Sequence, residues 1–179
     1  MLMAAEASQV LLVDVQERLL PAMANPEEVA ANAALVLHAA QALGVPVTVS
    51  EQYPKGLGPT VPALRQAAGG EAMEKIEFSC LKNAAIAERL RGLGRRQLVV
   101  AGVEAHVCVL QSVIDAAREG FEVFVVADAT GSRRPESRER ALARMAAAGA
   151  EVVTAEMAVF EWLGRADSPR FRELSKLVR

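Results

Sequence analysis

Residues 97–127 read QLVVAGVEAHVCVLQSVIDAAREGFEVFVVA, and this segment decides the fold. Its first part, Gln97–Ala101, is a short apolar run that predicts a buried strand, and a second such run follows at Glu122–Ala127. Between them the pattern predicts a helix from about Val107 to Arg118, and Gly120 supplies the usual stop. A strand, a helix and a second strand in this order are typical of two parallel strands joined by a crossover helix.

The same alternation continues on both sides of this segment. Further strands are predicted at Gln9–Val13, Val45–Ser50, Met73–Lys75 and Glu151–Thr154. Further helices are predicted from the N-cap Asn25 to Leu43, at Lys82–Leu93, at Pro135–Ala148, and in the tail from an N-cap at Ser168 with Pro169 in the first turn. Glu51–Pro62 contains three prolines and two glycines and is predicted to be an ordered loop. The sequence therefore predicts one α/β domain over residues 1–179, a three-layer α/β/α arrangement around a six-stranded, mostly parallel, Rossmann-like sheet.

The composition excludes several classes of function. The 179 residues are 52% hydrophobic and 23% charged, as in an ordinary globular domain. The net charge is −2 and no basic block is present, so we expect no nucleic acid as a partner. We expect no membrane partner either, because every apolar run is too short to span a bilayer and the first residues lack the basic start of a signal peptide. Two cysteines without a framework spacing favour a reducing compartment, so a cytoplasmic location is expected.

Three reactive side chains lie at the ends of predicted strands. Asp14 follows the first strand, Lys75 ends the third, and Cys108 comes shortly after the fourth. Ligands of open α/β sheets bind outside the carboxyl ends of the strands. We therefore expect these three side chains to meet at one edge of the sheet.

Each of the three residues also has an alternative interpretation that carries no chemistry. Cys108 lies near a helix N-terminus, so we expect its thiol pKa to be well below that of Cys80, and the charge of Lys75 adds to this effect. The alternative is that Cys108 is a small buried hydrophobe, as most free cysteines are and as we interpret Cys80. Asp14 can instead be a solvated loop acid, and an isolated lysine such as Lys75 is usually a surface residue. Gln16, two residues after Asp14, can orient that carboxylate or bind substrate.

The histidines and the loops argue against two other kinds of site. His106 is only two residues before Cys108, and His38 lies in the middle of a predicted helix, so a Cys–His pair is not expected and Asp14 is the candidate base. Residues 51–56 contain no histidine, and no glycine-rich phosphate loop is present. We therefore expect no metal and no cofactor.

Four segments together resemble the isochorismatase-like cysteine hydrolases over nearly the whole chain. They are LLVDVQERLLPAM (Leu11–Met23), EKIEFSCL (Glu74–Leu81), VVAGVEAHVCVLQSVIDAAREGFEVFVVADATGSR (Val99–Arg133) and EQYPKGLGPTVP (Glu51–Pro62). The third is the most specific, and the fourth resembles especially the subgroup called isochorismatase domain-containing proteins. The resemblance implies Asp14 as general base, Lys75 as cationic stabiliser and Cys108 as nucleophile.

The resemblance also has implications for the rest of the site. It implies a cis peptide bond at Val103–Glu104 and an oxyanion hole made by the N–H groups of Glu104 and Cys108. Substrate contacts are expected from Gln16, Tyr53 and Val103. Family members are commonly dimers or larger, so a homo-oligomer is expected.

The expected substrate follows from two departures from better-known members of the family. True isochorismatases typically lack the cysteine, so its presence points to acyl transfer through a thioester. Nicotinamidases carry metal-binding histidines that are missing here. A small-molecule amide or related C–N substrate remains. Two alternatives stay open: a scaffold or binding protein with negligible turnover, and, ranked last, a peroxide-responsive thiol at Cys108.

Overall fold

The computed structural model describes residues 1–178, which form six strands and eight α-helices. The strands are β1 (Ser8–Val13), β2 (Val47–Gln52), β3 (Met73–Lys75), β4 (Gln97–Val103), β5 (Glu122–Gly131) and β6 (Glu151–Val153). The helices are α1 (Pro26–Leu43), α2 (Pro54–Leu57), α3 (Pro62–Ala68), α4 (Ala84–Gly92), α5 (Leu110–Arg118), α6 (Pro135–Ala147), α7 (Ala155–Leu163) and α8 (Phe171–Leu174). Short 3₁₀ turns occur at Leu20–Ala22 and Cys80–Lys82, and a π-helical turn at Ala105–Val109 leads into α5.

The six strands form one parallel sheet in the order β3-β2-β1-β4-β5-β6. Alternate residues of the central strands point to opposite faces, so that each face has its own apolar core. One core is shared with α1, α3 and α7, and the other with α4, α5 and α6. The predicted three-layer α/β/α domain with a six-stranded sheet is confirmed. Chain order reverses between β1 and β4, which is where such sheets bind ligands.

Three predictions about helices were wrong. The predicted loop Glu51–Pro62 contains the end of β2 and the short helix α2, and α3 begins at its last proline. Helix α7 was missed because Met157 and Phe160 lie on its exposed side, so its apolar residues are not confined to the buried face and its amphipathic pattern is weak. The tail helix does not begin at Ser168, since that residue and Pro169 lie in a turn and α8 begins only at Phe171. None of the helices within residues 1–178 is long and apolar enough to cross a bilayer.

Gly102 lets β1 and β4 approach at the point that matters for the site. Its φ is +128°, a conformation that favours glycine, and a Cβ atom there would lie 2.1 Å from the carbonyl oxygen of Val13. The absence of a side chain therefore allows the ends of the two strands to lie against each other. The residues that follow, Asp14 after β1 and Val103–Cys108 after β4, come together as a result.

Candidate active site

The structure brings the three predicted residues together at the carboxyl edge of the sheet. Asp14 directly follows β1 with a φ of +52°, Lys75 is the last residue of β3, and Cys108 lies in the π-helical turn after β4. All three are buried, with Cys108 retaining 5% of its exposure. Buried titratable groups at this edge of an α/β sheet are typical of a functional site.

Asp14 and Lys75 form a buried ion pair. The Lys75 ammonium donates to Oδ2 of Asp14 at 2.7 Å, and neither side chain is exposed to solvent. The other carboxylate oxygen, Oδ1, accepts a hydrogen bond of 2.7 Å from the hydroxyl of Ser50 at the end of β2. The orientation of the Asp14 carboxylate is therefore set by one donor on each oxygen.

The Lys75 ammonium has more acceptors around it than it has protons to donate. Besides Asp14 it contacts Oε1 of Gln52 at 2.7 Å and the carbonyl oxygens of Glu77 and Phe78 at 3.2 and 3.3 Å. Burial is the largest single influence and disfavours the charged form, but the negative groups around the ammonium, Asp14 first among them, together outweigh it and the pKa of Lys75 is raised. Lys75 is therefore a cation at neutral pH whose three protons are all used by the protein.

Gln52 connects this ion pair with the cysteine. Its Oε1 accepts from Lys75 and lies 4.0 Å from Sγ of Cys108. Sequence reasoning missed Gln52, because the second strand was predicted to end at Ser50 and residue 52 was placed in the following loop. The rule that selected Asp14 and Lys75 selects it too, since Gln52 is the last residue of β2.

The expected activation of the Cys108 thiol is contradicted, whereas its expected order relative to Cys80 stays a prediction because the pKa values of both thiols are raised. Burial, followed by the negative charge of Asp14, raises the pKa of Cys108, and the opposing charge of Lys75 is too weak to reverse the direction. The expected contribution of a helix N-terminus is also reduced, because Cys108 lies inside a π-helical turn rather than at the first turn of α5. The resting group is therefore a protonated thiol beside a carboxylate.

Cys80 lies closer to this site than its sequence position suggested. Its Sγ donates to the Ser50 hydroxyl at 3.5 Å, and Ser50 in turn donates to Asp14. Its backbone N–H donates to Oγ of Ser112, which itself donates to the carbonyl oxygen of Cys108. Burial raises the pKa of the Cys80 thiol. Cys80 is thus a buried packing residue, as predicted, but one that supports the carboxylate through Ser50.

The segment expected to form an oxyanion hole begins at a cis peptide bond between Val103 and Glu104. The Glu104 carboxylate accepts from the backbone N–H and the guanidinium of Arg133, at 3.0 to 3.1 Å. Its carbonyl oxygen accepts from the N–H groups of Val107 and Val109 at 3.0 and 3.3 Å. These contacts hold both the side chain and the carbonyl of Glu104 at the start of the turn that carries Cys108.

The three residues expected to contact substrate occupy different environments. Gln16 is fully buried, and its amide bonds the backbone of Gln52 and the carbonyl oxygen of Gly58, so it does not contact Asp14 through its side chain. Tyr53 is 55% exposed and lines an open cavity of 480 Å³ together with Lys75. Val103 is fully buried in the apolar core.

The described residues also give no basis for a histidine or metal site. Nδ1 of His106 lies 3.0 Å from the hydroxyl of Ser132, so this ring has a partner other than the cysteine. Within residues 1–178 no group of three or more His, Cys, Asp and Glu side chains has a metal-binding arrangement. The chemistry available at this edge is that of a thiol, a carboxylate and an ammonium.

Comparison with known families gives a match over most of the chain. The family model described as the isochorismatase domain matches residues 8–157. Isochorismatase domain-containing protein 1 of Salmo salar is 39% identical over 93% of this chain and 59% of its own length. Isochorismatase domain-containing protein 2A of Mus musculus is 35% identical over 97% of this chain and 84% of its own length. The chain therefore spans less than two thirds of the salmon relative.

Solved structures with the same fold include three similar chains. MAR1 ribonuclease from Caenorhabditis elegans has a TM-score of 0.93 at 33% identity, covering 99% of this chain and 92% of that one. The YcaC gene product of Escherichia coli, described as an octameric hydrolase of unknown specificity, has a TM-score of 0.93 at 28% identity, covering 98% and 88%. YcaC from Pseudomonas aeruginosa, solved with hexane-2,5-diol and covalent acrylamide, has a TM-score of 0.90 at 28% identity, covering 99% and 95%.

Proposed function

Because the chain belongs to the isochorismatase family, we propose that it is a hydrolase in which Cys108 attacks a small amide or related C–N substrate. One observation carries the proposal. The structure contains a continuous chain of contacts from the thiol to the carboxylate. The Cys108 sulfur lies 4.0 Å from the Gln52 oxygen, that oxygen accepts from the Lys75 ammonium at 2.7 Å, and the ammonium donates to the Asp14 carboxylate at 2.7 Å. A nucleophile, a base and a fixed cation in one buried group are the parts that acyl transfer needs.

The first half of the proposed reaction forms a thioester. The Cys108 thiol passes its proton to Asp14 as the sulfur bonds to the substrate carbonyl carbon, whose double bond opens to an oxyanion. The raised thiol pKa makes this proton acceptor necessary, because little thiolate is present beforehand. The oxyanion collapses, the C–N bond breaks, and the protonated Asp14 returns the proton to the leaving nitrogen.

The second half releases the acid product. A water molecule attacks the thioester carbon and gives a proton to Asp14, and the collapsing intermediate expels the Cys108 sulfur, which takes that proton back. The net change is amide plus water to carboxylic acid plus amine. In this scheme the hydrogen bond from Lys75 keeps the Asp14 carboxylate in position for both steps. The N–H groups of Glu104 and Cys108 are the proposed donors to the oxyanion. Tyr53, at the open cavity, is the proposed substrate contact; the amide of Gln16 and the side chain of Val103 face the protein in the resting structure.

Two structural relatives bear on this choice of substrate. The Pseudomonas aeruginosa structure holds covalent acrylamide, an electrophile that nucleophiles attack at its carbon–carbon double bond, which supports a reactive nucleophile on this scaffold rather than a particular substrate. The Caenorhabditis elegans relative is named a ribonuclease. RNA binding depends largely on cationic surface, and the net charge of this chain is −2, so the small amide remains our proposal.

A screen of small amides with mass detection tests the proposal. Trypsin separates the two cysteines, Cys80 in the peptide 76–82 and Cys108 in the peptide 97–118. We expect an acyl adduct on 97–118 only, no turnover by Cys108→Ala, and retained turnover by the matched variant Cys80→Ala. Turnover that persists in Cys108→Ala would exclude the thioester route. RNA included in the same screen tests the ribonuclease alternative.

We also propose that the protein is a homo-oligomer in the cytoplasm. The octameric Escherichia coli relative supports the assembly, and so does the exposure of the apolar side chains of Ile76 and Phe78 next to Lys75. Light scattering on the purified protein measures the mass directly, and a value of 19.1 kDa would contradict the oligomer.

A further inference from the structure

Two hydrogen bonds hold the side chain of Gln52, and its oxygen also faces the sulfur of Cys108. Its Oε1 accepts from Lys75 at 2.7 Å, and its Nε2 donates to the carbonyl oxygen of Ile76 at 2.9 Å. An ammonium requires an acceptor and a carbonyl requires a donor, so the two partners fix which end of the amide faces Lys75. It is the oxygen that faces the ammonium and, at 4.0 Å, the Cys108 sulfur.

The backbone of Gln52 is fixed as firmly as its side chain. Oε1 of the buried Gln16 accepts from the N–H of Gln52 at 2.8 Å, and Nε2 of Gln16 donates to the carbonyl oxygen of Gln52 at 3.0 Å. A third bond of 2.7 Å ties Gln16 to the carbonyl oxygen of Gly58. Two of the three hydrogen bonds made by this buried side chain go to the backbone of Gln52, which indicates that the position of Gln52 matters for the site.

We propose that Gln52 is a positioning residue whose neutral side-chain oxygen holds the Lys75 ammonium between Asp14 and Cys108. The alternative acceptor, a carboxylate, would hold Lys75 equally well but would place a second negative charge beside the thiol. The amide therefore combines two requirements: it accepts a strong hydrogen bond from the cation, and it leaves the cation's charge available to the sulfur.

The charges that act on Cys108 make the inference testable. Asp14 at the end of β1 raises the pKa of the thiol, and Lys75 at the end of β3 lowers it. Cys80 also acts on the sulfur, and burial raises its own pKa. Glu77, in the segment after β3, has a pKa that is lowered mainly by hydrogen bonds from its own backbone N–H and from Asn83, with a smaller contribution from the charge of Lys75. A change at position 52 that releases Lys75 or adds negative charge should reduce the thiolate fraction of Cys108.

The experiment measures iodoacetamide labelling of Cys108 in the whole protein at about pH 8, below the ordinary thiol pKa. Gln52→Met keeps the length of the side chain and removes the acceptor, so we expect slower labelling than in the wild type. Gln52→Glu keeps the acceptor and adds a charge at about 4 Å from the sulfur, so we expect labelling to slow by at least about tenfold, the effect of one pKa unit. The midpoint of labelling against pH should move upward in the same order.

Two controls make each result decisive. Gln66→Glu places the same charge on the exposed surface of α3 and should leave labelling at the wild-type rate. Cys80 is fully buried, so labelling of the peptide 76–82 reports any loss of fold in the same sample. If Gln52→Glu fails to fold, the labelling rate of Cys108 in Gln52→Met alone tests the inference. Wild-type labelling of Cys108 in either folded variant would overturn the inference.

This inference rests on the proposed function only in treating Cys108 as the nucleophile. Labelling needs no substrate, so a failed amide screen and an unchanged labelling rate are separate outcomes. A purely structural role for Gln52 predicts similar effects of methionine and glutamate on stability and no upward movement of the pH midpoint. The order wild type, methionine, glutamate is expected only from the electrostatic role.

Discussion

Replacing Lys75 with methionine should destabilise the protein severely. The substitution keeps most of the side-chain length but leaves Asp14 fully buried with the hydroxyl of Ser50 as its remaining partner. In wild type the two charged groups are 2.7 Å apart. At an effective dielectric constant of about 20, that distance corresponds to an attraction of ~6 kcal/mol, which desolvation of both groups offsets in part.

The net loss is smaller than that attraction. Removing one member of a buried ion pair costs about 3–5 kcal/mol, because the other charge stays buried without its partner. A domain of this size has a free energy of unfolding of about 5–15 kcal/mol, so Lys75→Met should lose roughly a fifth or more of it. The double variant Asp14→Asn/Lys75→Met leaves no charge, and asparagine tolerates the φ of +52° at position 14. It should therefore recover most of the loss.

Urea unfolding of the wild type, both single variants and the double variant measures the coupling directly. We expect the double variant to be more stable than Lys75→Met alone, by roughly 2 kcal/mol or more. A free energy of unfolding for Lys75→Met within about 1 kcal/mol of the wild type would refute the reasoning. So would a double variant less stable than Lys75→Met, because it would mean that the buried carboxylate is not the source of the cost.

Three further predictions concern stability. Cys80 and Cys108 have pKa values raised above 9.0 in the folded protein, so the unfolded chain loses these protons first and stability should fall as pH rises above about 9, by roughly 1.4 kcal/mol per pH unit for each thiol. Urea unfolding across pH should show a shallower fall for Cys80→Ala, and an unchanged slope would contradict the prediction. Gly102→Ala would force a Cβ to within 2.1 Å of the Val13 carbonyl oxygen and should cost more than about 3 kcal/mol by thermal or urea unfolding; a near-neutral variant would disprove the close approach. Gln16→Ala removes three hydrogen bonds, so it should lower the free energy of unfolding by about 1–3 kcal/mol and speed amide hydrogen exchange in the loop after β2. Unchanged exchange in that loop would show that other contacts hold it.

The sheet was predictable because its signal is local. Each buried strand is a run of apolar residues that a helix follows, and that pattern survives whatever the rest of the chain does. Helix α7 was not predictable in this way, because its exposed side carries the apolar residues Met157 and Phe160 opposite the face that packs on α1 and β5. Helix α2 has only four residues, too few for any periodicity to appear.

The meeting of Asp14, Lys75 and Cys108 at one edge of the sheet was predictable from the sequence, but the part of Gln52 and the electrostatics were not. The position of Asp14, Lys75 and Cys108 at strand ends follows from the topology of a parallel sheet, which the sequence indicates. The direction of the thiol pKa depends instead on how deeply Cys108 is buried and on how strongly the charges of Asp14 and Lys75 act on its sulfur. Both are properties of the packed structure, and the part of Gln52 in them depends on bonds from Gln16, 36 residues away in the chain.

The π-helical turn at Ala105–Val109 makes the number of residues in this segment as important as their identity. A π-helical turn holds about one residue more than an α-helical turn, so removing a single residue between Gly102 and Cys108 would let the segment close as an ordinary α-helix. Each residue advances an α-helix by about 100°, and the sulfur would then point away from the carboxylate and the ammonium. Homologues that lose one residue here while keeping the aspartate, the lysine and the cysteine would preserve every reactive group and still be unable to align them. In an alignment of homologues, a gap between Gly102 and Cys108 is therefore a better criterion for judging whether the site is intact than the presence of the aspartate, the lysine and the cysteine.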